Sequence, residues 1–184
     1  MTDVVASIPE TPLTEAEFGE LVALCGIVAS ESLHYFGGLQ PTNSQRDRRA
    51  FVRAFFASVG TLLWTLRRLA LSRHYAGQHS FPPNVLHELR TQGNVGPAKA
   101  LSTVLPAFGD AYGVHVANPR LDPGWPSFAT LIAVRNRITH PKRLSEFDVA
   151  DTELDQLRAA HQWFWNVTFG PMNAIGAAHN NKWV

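Results

Sequence analysis

Apolar residues recur every three to four positions over most of this chain, and that period predicts helices. Phe18, Leu21, Val22, Cys25, Val28 and Ala29 trace one apolar face behind a well-marked start. Thr14 and Glu17 have the spacing of a capping box, and Leu13 and Phe18 that of a hydrophobic staple. Gly37-Gly38 ends this helix. Ser44 then offers an N-cap with Asp47 three residues on, and neither Pro nor Gly interrupts the chain before Gly60. Two apolar rows follow, Phe51-Phe55-Ser58-Leu62-Leu66-Leu69 and Val52-Phe56-Val59-Leu63-Leu66-Ala70. They predict a broad buried face on a central helix that reaches about Tyr75 and ends before Gly77.

The pattern then loosens. Between Gly77 and Pro126, breakers such as Pro82-Pro83, Gly96-Pro97, Pro106 and Pro123-Gly124 predict an irregular insertion, residues 77–125. Within it, Asn84 is placed to cap a short helix through Arg90. Pro97 suits the first turn of another reaching Tyr112, which Pro106 should kink or divide. Periodicity returns from Pro126 or Ser127, with Phe128, Leu131, Val134 and Ile138 on one stripe. Pro141 disfavours helical geometry at the residue before it, so His140 belongs at or just past the final turn. A last helix is expected from Asp151 or Thr152 through Leu154, Leu157, Ala160 and Phe164. Gly170-Pro171 should bend or end it, leaving 172–184 as a frayed tail. The fold class is therefore all-α, one bundle of five to six helices across residues 1–184, with a Pro/Gly-rich insertion ahead of the helix that carries Phe128, Leu131, Val134 and Ile138.

Composition fits that expectation and adds a compartment. With 45% hydrophobic and 17% charged residues in 184, the chain reads as one soluble globular domain. Met1-Thr2-Asp3-Val4-Val5 lacks the basic and apolar regions of a signal peptide, and no apolar run approaches the roughly 20 residues of a membrane span. No membrane partner is expected, and a cytoplasmic location is. The single cysteine, Cys25, excludes an internal disulfide and lies in an apolar run as a buried thiol.

Charge is unevenly spread beneath a net of +1. Residues 1–36 hold six acids and no Lys or Arg, whereas 44–75 hold seven Arg and one acid, Asp47. Another acidic stretch, Glu146, Asp148, Asp151, Glu153 and Asp155, follows the Pro141 break. Complementary helices packed together would explain this, and so would an anion-binding face.

Candidate chemistry concentrates in Arg135-Asn136-Arg137-Ile138-Thr139-His140-Pro141. A guanidinium presents a fixed fork of donors to phosphate oxygens, and an imidazole, with an unperturbed pKa of about 6.5, moves protons near neutrality. Spacing alone is weak evidence. With 13 Arg and 8 His, a pair separated by four to six residues is expected roughly twice by chance, and Arg67 or Arg68 with His74 and Arg73 with His79 are such pairs. Requiring Asn directly after the Arg and His at the fifth position lowers the expectation to roughly 0.03. At about 100° per residue, Asn136 and His140 fall about 40° apart on a helix but Arg135 and His140 about 140° apart. Arg135 joins the others only by its long reach together with loosening of the last turn before Pro141, or if a second subunit brings its own Arg into range.

At these residues the chain resembles the HEPN superfamily, small helical domains marked by Arg, a gap of four to six residues usually opened by Asn or another polar residue, and His. Arg135, Asn136 and His140 match that motif. Leu131-Ile132-Ala133-Val134, Pro141 and the earlier Arg49-Ala50-Phe51-Val52-Arg53-Ala54-Phe55-Phe56 also look like the family. Gly60 departs from it, standing near the position where many relatives carry a glutamate. The resemblance implies a metal-independent endoribonuclease, a toxin or defence RNase, that cleaves RNA through 2'-OH attack to a 2',3'-cyclic phosphate. His140 would then be acid and base, Arg135 would stabilise the phosphate, and Asn136 would orient the imidazole or substrate. Arg137, Arg49 and Arg53 would line the RNA path. It further implies a homodimer joining two motifs in a shared cleft, and an antitoxin or nucleotidyltransferase as partner. Lys142 stands where the family's modified subclass has Tyr, so modification is not expected there. The family also includes catalytically silent modules that bind RNA, a nucleotide or a protein, which is the alternative.

Other chemistries find little support. No His-Glu-x-x-His or Cys ligand pattern points to a metal, and none is expected. Gly93-Asn94-Val95-Gly96 lacks the Lys-Ser or Lys-Thr of a phosphate loop, and no cofactor is implied. Ser127 and Ser145 lie outside Gly-x-Ser-x-Gly, and Cys25 has no cations beside it to activate a thiolate.

Overall fold

Both strong start signals act as the spacing predicts. Thr14 Oγ1 accepts the Glu17 amide while the Glu17 carboxylate accepts the Thr14 amide, and Ser44 Oγ accepts the Asp47 amide. In the computed structural model, which describes residues 9–40, 42–91 and 95–178, these caps open α1 (Glu15–Gly37) and α2 (Gln45–Tyr75). The chain continues as α3 (Pro83–Arg90), α4 (Pro97–Ala111), α5 (Trp125–Thr139) and α6 (Asp151–Ala178), with short 3-10 turns at Pro119–Leu121 and Leu144–Phe147. Among the described residues there is no strand, and the architecture is an all-α bundle.

The core is built around α2, which meets α1, α4, α5 and α6. Val52, Phe55, Leu66 and Ala70 are fully buried, as the two apolar rows require. This helix is long and apolar enough to cross a membrane, but 67% of its apolar window is buried inside the protein, as a core helix's is. Phe55 sits edge-on to Phe36, Phe128 and Phe164, with ring centroids 6.1, 6.2 and 5.7 Å away. Four helices thus meet at one aromatic cluster. Cys25 lies inside the apolar packing, where burial pushes its thiol pKa up.

Two segments are more ordered than Pro and Gly content suggests. The stretch 77–125, expected as an irregular insertion, contains α3 and α4, and α4 buries Leu101, Val104, Leu105 and Phe108 completely. Pro106 lies inside α4 without dividing it. A helix-interior Pro costs about 3 kcal/mol, whereas four large apolar side chains contribute about 1.5–3 kcal/mol each on burial. Packing therefore wins, and this segment belongs to the core. α3 begins at Pro83 rather than behind an Asn84 cap. Similarly, α6 runs through Pro171 to Ala178 because Met172 and Ile175 are buried, 4% and 0% exposed. The rest of the expected tail, 179–184, lies outside the described residues.

A buried polar network joins α1 to α6. The Trp165 indole N–H donates to His161 Nε2 at 2.8 Å, and Ser32 Oγ lies 3.0 Å from the same nitrogen. Since Nε2 must accept from Trp165, the imidazole proton resides on Nδ1 and the Ser32 hydroxyl also donates. Phe36 stacks on the ring. Desolvation lowers the His161 pKa to about 4. Ser32 and His161 are 3% and 6% exposed, so this pair is closed to substrates.

The start of α5 is docked on α6 around Trp163, whose ring also meets Trp125 and Phe128. Asp122 Oδ1 accepts the Gly124 amide at 2.9 Å and the Trp163 indole N–H at 2.6 Å, which lays the indole against Gly124. A methyl group on Gly124 would overlap indole Cδ1 and Cγ. Because that ring is pinned by Asp122, Gly124→Ala is expected to cost about 2 kcal/mol, read as a melting temperature lowered by about 4–8 °C. An unchanged melting temperature would show that the indole swings aside freely.

Candidate functional site

The end of α5 presents the motif. Phe128, Leu131, Val134 and Ile138 are buried, so the same turns must show Asn136, Thr139 and His140 to solvent. Thr139 Oγ1 donates back to Arg135 O at 2.6 Å, and the His140 amide closes the helix on Asn136 O at 3.0 Å. His140 itself leaves helical geometry, with φ −127° and ψ 57°, as the following Pro141 demands.

Arg135 joins Asn136 without any loosening of the helix. Its Nη1 donates to Asn136 Oδ1 at 3.0 Å, which fixes the amide oxygen and leaves the amide NH2 pointing elsewhere. Arg135 and Asn136 are thus brought together directly. His140 stands one turn from Asn136 and is linked to it through the backbone bond, with its side chain exposed.

Arg137 faces another way. Its Nη1 donates to Glu146 O at 2.8 Å and Asp148 O at 2.6 Å, while Nη2 binds both Glu153 carboxylate oxygens at 2.7 and 2.8 Å. Glu153 Oε2 also accepts the Ala150 amide, so one carboxylate caps α6 and anchors the end of α5. The guanidinium of Arg137 serves as a clasp between helices rather than joining Arg135.

The loop after the motif is held by further arginines on α2. Arg49 Nη1 donates to Phe147 O at 3.1 Å and its guanidinium lies over the Phe147 ring. Arg48 Nη1 donates to Val149 O at 2.8 Å and pairs with Asp151 at 2.7 Å. Gln45 completes the grip by bonding both the amide and the carbonyl of Val149. Arg48, Arg49 and Arg137 together bind the carbonyls of residues 146–149. Part of the acidic stretch is therefore matched within the protein: Glu153 by Arg137, Asp151 by Arg48 and Asp155 by Arg158.

Arg53, one turn beyond Arg49, is exposed and makes no hydrogen bond or ion pair among the described residues. Lys142 and Arg143 are also exposed, and their side chains have no such partner either. These two cations, missing from the sequence-derived set of candidates, follow the motif directly. The signal for them is the dipeptide immediately after the helix-ending Pro141. Their freedom, unlike the engagement of Arg137, leaves them able to meet a phosphate backbone.

Arg137→Ala removes four hydrogen bonds and strands a three-quarters-buried Glu153 carboxylate. The pair is neither fully buried nor on the surface, so a loss of about 2 kcal/mol is expected, between the ranges for the two limits. Arg135→Ala, cutting one exposed hydrogen bond, is expected to cost less than about 0.5 kcal/mol. Urea denaturation of both variants checks the contrast, and equal losses would overturn the division between a clasping and an available arginine.

Among the described residues, no group of three or more His, Cys, Asp or Glu side chains converges as a metal site would require. No family model, curated protein or solved structure matches the chain.

Proposed function

We propose that this protein is a metal-independent endoribonuclease of the HEPN type, acting as a toxin or defence RNase. The observation that carries the reading is the exposed end of α5, where Arg135 fixes Asn136 and His140 stands free at the helix terminus. In RNA the 2'-OH is an internal nucleophile. His140 takes its proton, O2' attacks phosphorus, and the 5'-oxygen leaves with a proton from an acid on the opposite side. The products are a 2',3'-cyclic phosphate and a 5'-OH. Arg135 stabilises charge growing on the non-bridging oxygens, and Asn136 orients the imidazole or substrate through its amide. Arg53, Lys142 and Arg143 guide the strand. A second copy of the chain supplies the second imidazole, so the working form is a homodimer with a shared cleft. An antitoxin or nucleotidyltransferase would hold it in check.

The test uses a mixed RNA pool in EDTA with the purified chain, His140→Ala and Arg135→Ala. Cleavage lost in both variants supports the nuclease. Equal cleavage by all three identifies a contaminant and removes the proposal. Absence of cleavage by any, with salt-sensitive RNA binding, shifts the reading to a silent binding module. A clean monomer by light scattering at micromolar concentration would overturn the shared cleft.

A further inference from the structure

α1 meets α6 where Phe36 stacks on His161 and the Ser32 hydroxyl reaches the same ring. Farther along, between the middle of α1, the second half of α6 and the face of α2 beneath them, lies a cavity of about 510 Å³. Val22, Leu33, Leu69, Phe169 and Met172 wall it, and among the described residues no charged side chain does. Leu33 is 62% exposed and marks the mouth, whereas Leu69 and Met172 are buried and mark the floor. A concave, mostly apolar space of about this volume is typical of sites for small molecules.

Two residues show that the fold leaves this space unfilled. Gly26 borders it from the interior of α1, where Gly weakens a helix relative to Ala, yet a Cβ at this position would have no neighbour within 4 Å. No close approach inside the protein requires a bare backbone there. Thr65 borders the cavity from α2 and is 0% exposed, and its Oγ1 has no hydrogen-bond partner among the described residues. A buried hydroxyl without a partner is costly, and the Cys25 thiol bordering the same space is a weak one. One unanswered hydroxyl at the base of apolar walls suits an apolar molecule with a single polar group.

Charge narrows the class further. α1 forms one side of the mouth and carries Glu15, Glu17, Glu20 and Glu31 but neither Lys nor Arg. A carboxylate head would enter against a field of its own sign and find no cation within. A neutral head avoids both costs.

We infer that this cavity binds a neutral lipophilic molecule, a chain of about eight carbons bearing one hydroxyl or carbonyl group, with its body on Leu69, Phe169 and Met172 and its polar end on Thr65. A cavity of about 150 Å³ already accepts benzene, so the space here holds such a chain. The polar end supplies the partner that the Thr65 hydroxyl lacks. None of these residues belongs to the motif on α5 or to the loop behind it, so the site stands apart from the proposed nuclease.

Displacement of the neutral fluorophore N-phenylnaphthylamine from the full chain by octanol, octanoate and toluene tests the site. Octanol is expected to displace the dye at a concentration at least about ten times lower than octanoate. Thr65→Val should weaken octanol about three- to ten-fold, the value of one hydrogen bond, and leave toluene, which has no polar group, unchanged. Gly26→Leu, which puts a side chain into the open space, should weaken dye, octanol and toluene together at least about ten-fold. If Thr65→Val does not fold, Gly26→Leu and the preference for octanol over octanoate decide. No dye binding at micromolar protein, octanoate as effective as octanol, or affinities unchanged in Gly26→Leu overturns the proposal. A dimeric parent made monomeric by Gly26→Leu would assign the groove to a second copy of the chain and overturn it equally.

Discussion

His140→Ala is expected to lower RNA cleavage at least about 100-fold while moving the melting temperature by less than about 2 °C. The two halves of this result have separate causes. The His140 imidazole is exposed, and what closes α5 is its backbone amide on Asn136 O, which alanine keeps. Almost nothing in the fold depends on the ring. In the proposed reaction the same ring carries the proton, and general acid–base catalysis commonly contributes 100- to 10,000-fold. Asn136→Ala should give a smaller loss, since it removes orientation and leaves the proton carrier. Initial rates on a fluorogenic RNA, with melting curves on the same samples, read both quantities. Wild-type rates in His140→Ala would end the assignment, and a collapse in melting temperature would show a structural part for the ring.

The second large effect concerns acid. His161 has a folded pKa of about 4, below the 6.5 of an unperturbed imidazole. As pH falls, the unfolded chain takes up this proton first, so stability must decline. The contribution is fully present above about pH 6.5 and is lost as pH falls towards 4, a change on the order of 3 kcal/mol. Burial is the main cause, and the network sharpens it: protonating Nε2 would set an N–H against the Trp165 N–H. Denaturation midpoints measured from pH 7.5 to 4 should fall steeply in the wild type and more shallowly in His161→Gln. Parallel profiles would show that other groups govern acid sensitivity.

Local signals were the legible part of this fold. The Thr14 capping box, the Ser44 cap, the two rows of α2 and the Pro141 stop each act within a few residues, and each is where its spacing implied. The core part of α4 was hidden because Pro and Gly dominate the reading of 77–125, while the burial that outweighs them depends on α2, far away in sequence. At the motif, the helical angle made the approach of Arg135 conditional on a loosened last turn, whereas its contact with the neighbouring Asn136 forms with the helix intact. Arg137 was grouped with them by proximity in sequence, yet two residues turn a helix by about 200°, which sends it towards α6. Arg49 is likewise engaged across 98 residues by a backbone carbonyl, a partner that no side-chain pattern announces. Arg53, the other α2 candidate, is exposed and has no such anchor among the described residues.

Both ends of α5 are tied to α6, through Asp122 and Trp163 at its start and through Arg137 and Glu153 at its finish. A helix fastened at each end resists displacement. Adjustment at the motif is left to side-chain rotation of Arg135, Asn136 and His140, so in the proposed reaction RNA would meet a frame assembled in advance, at little cost in ordering entropy. Such pre-organisation favours ligands whose shape already fits over those that would have to remould the protein.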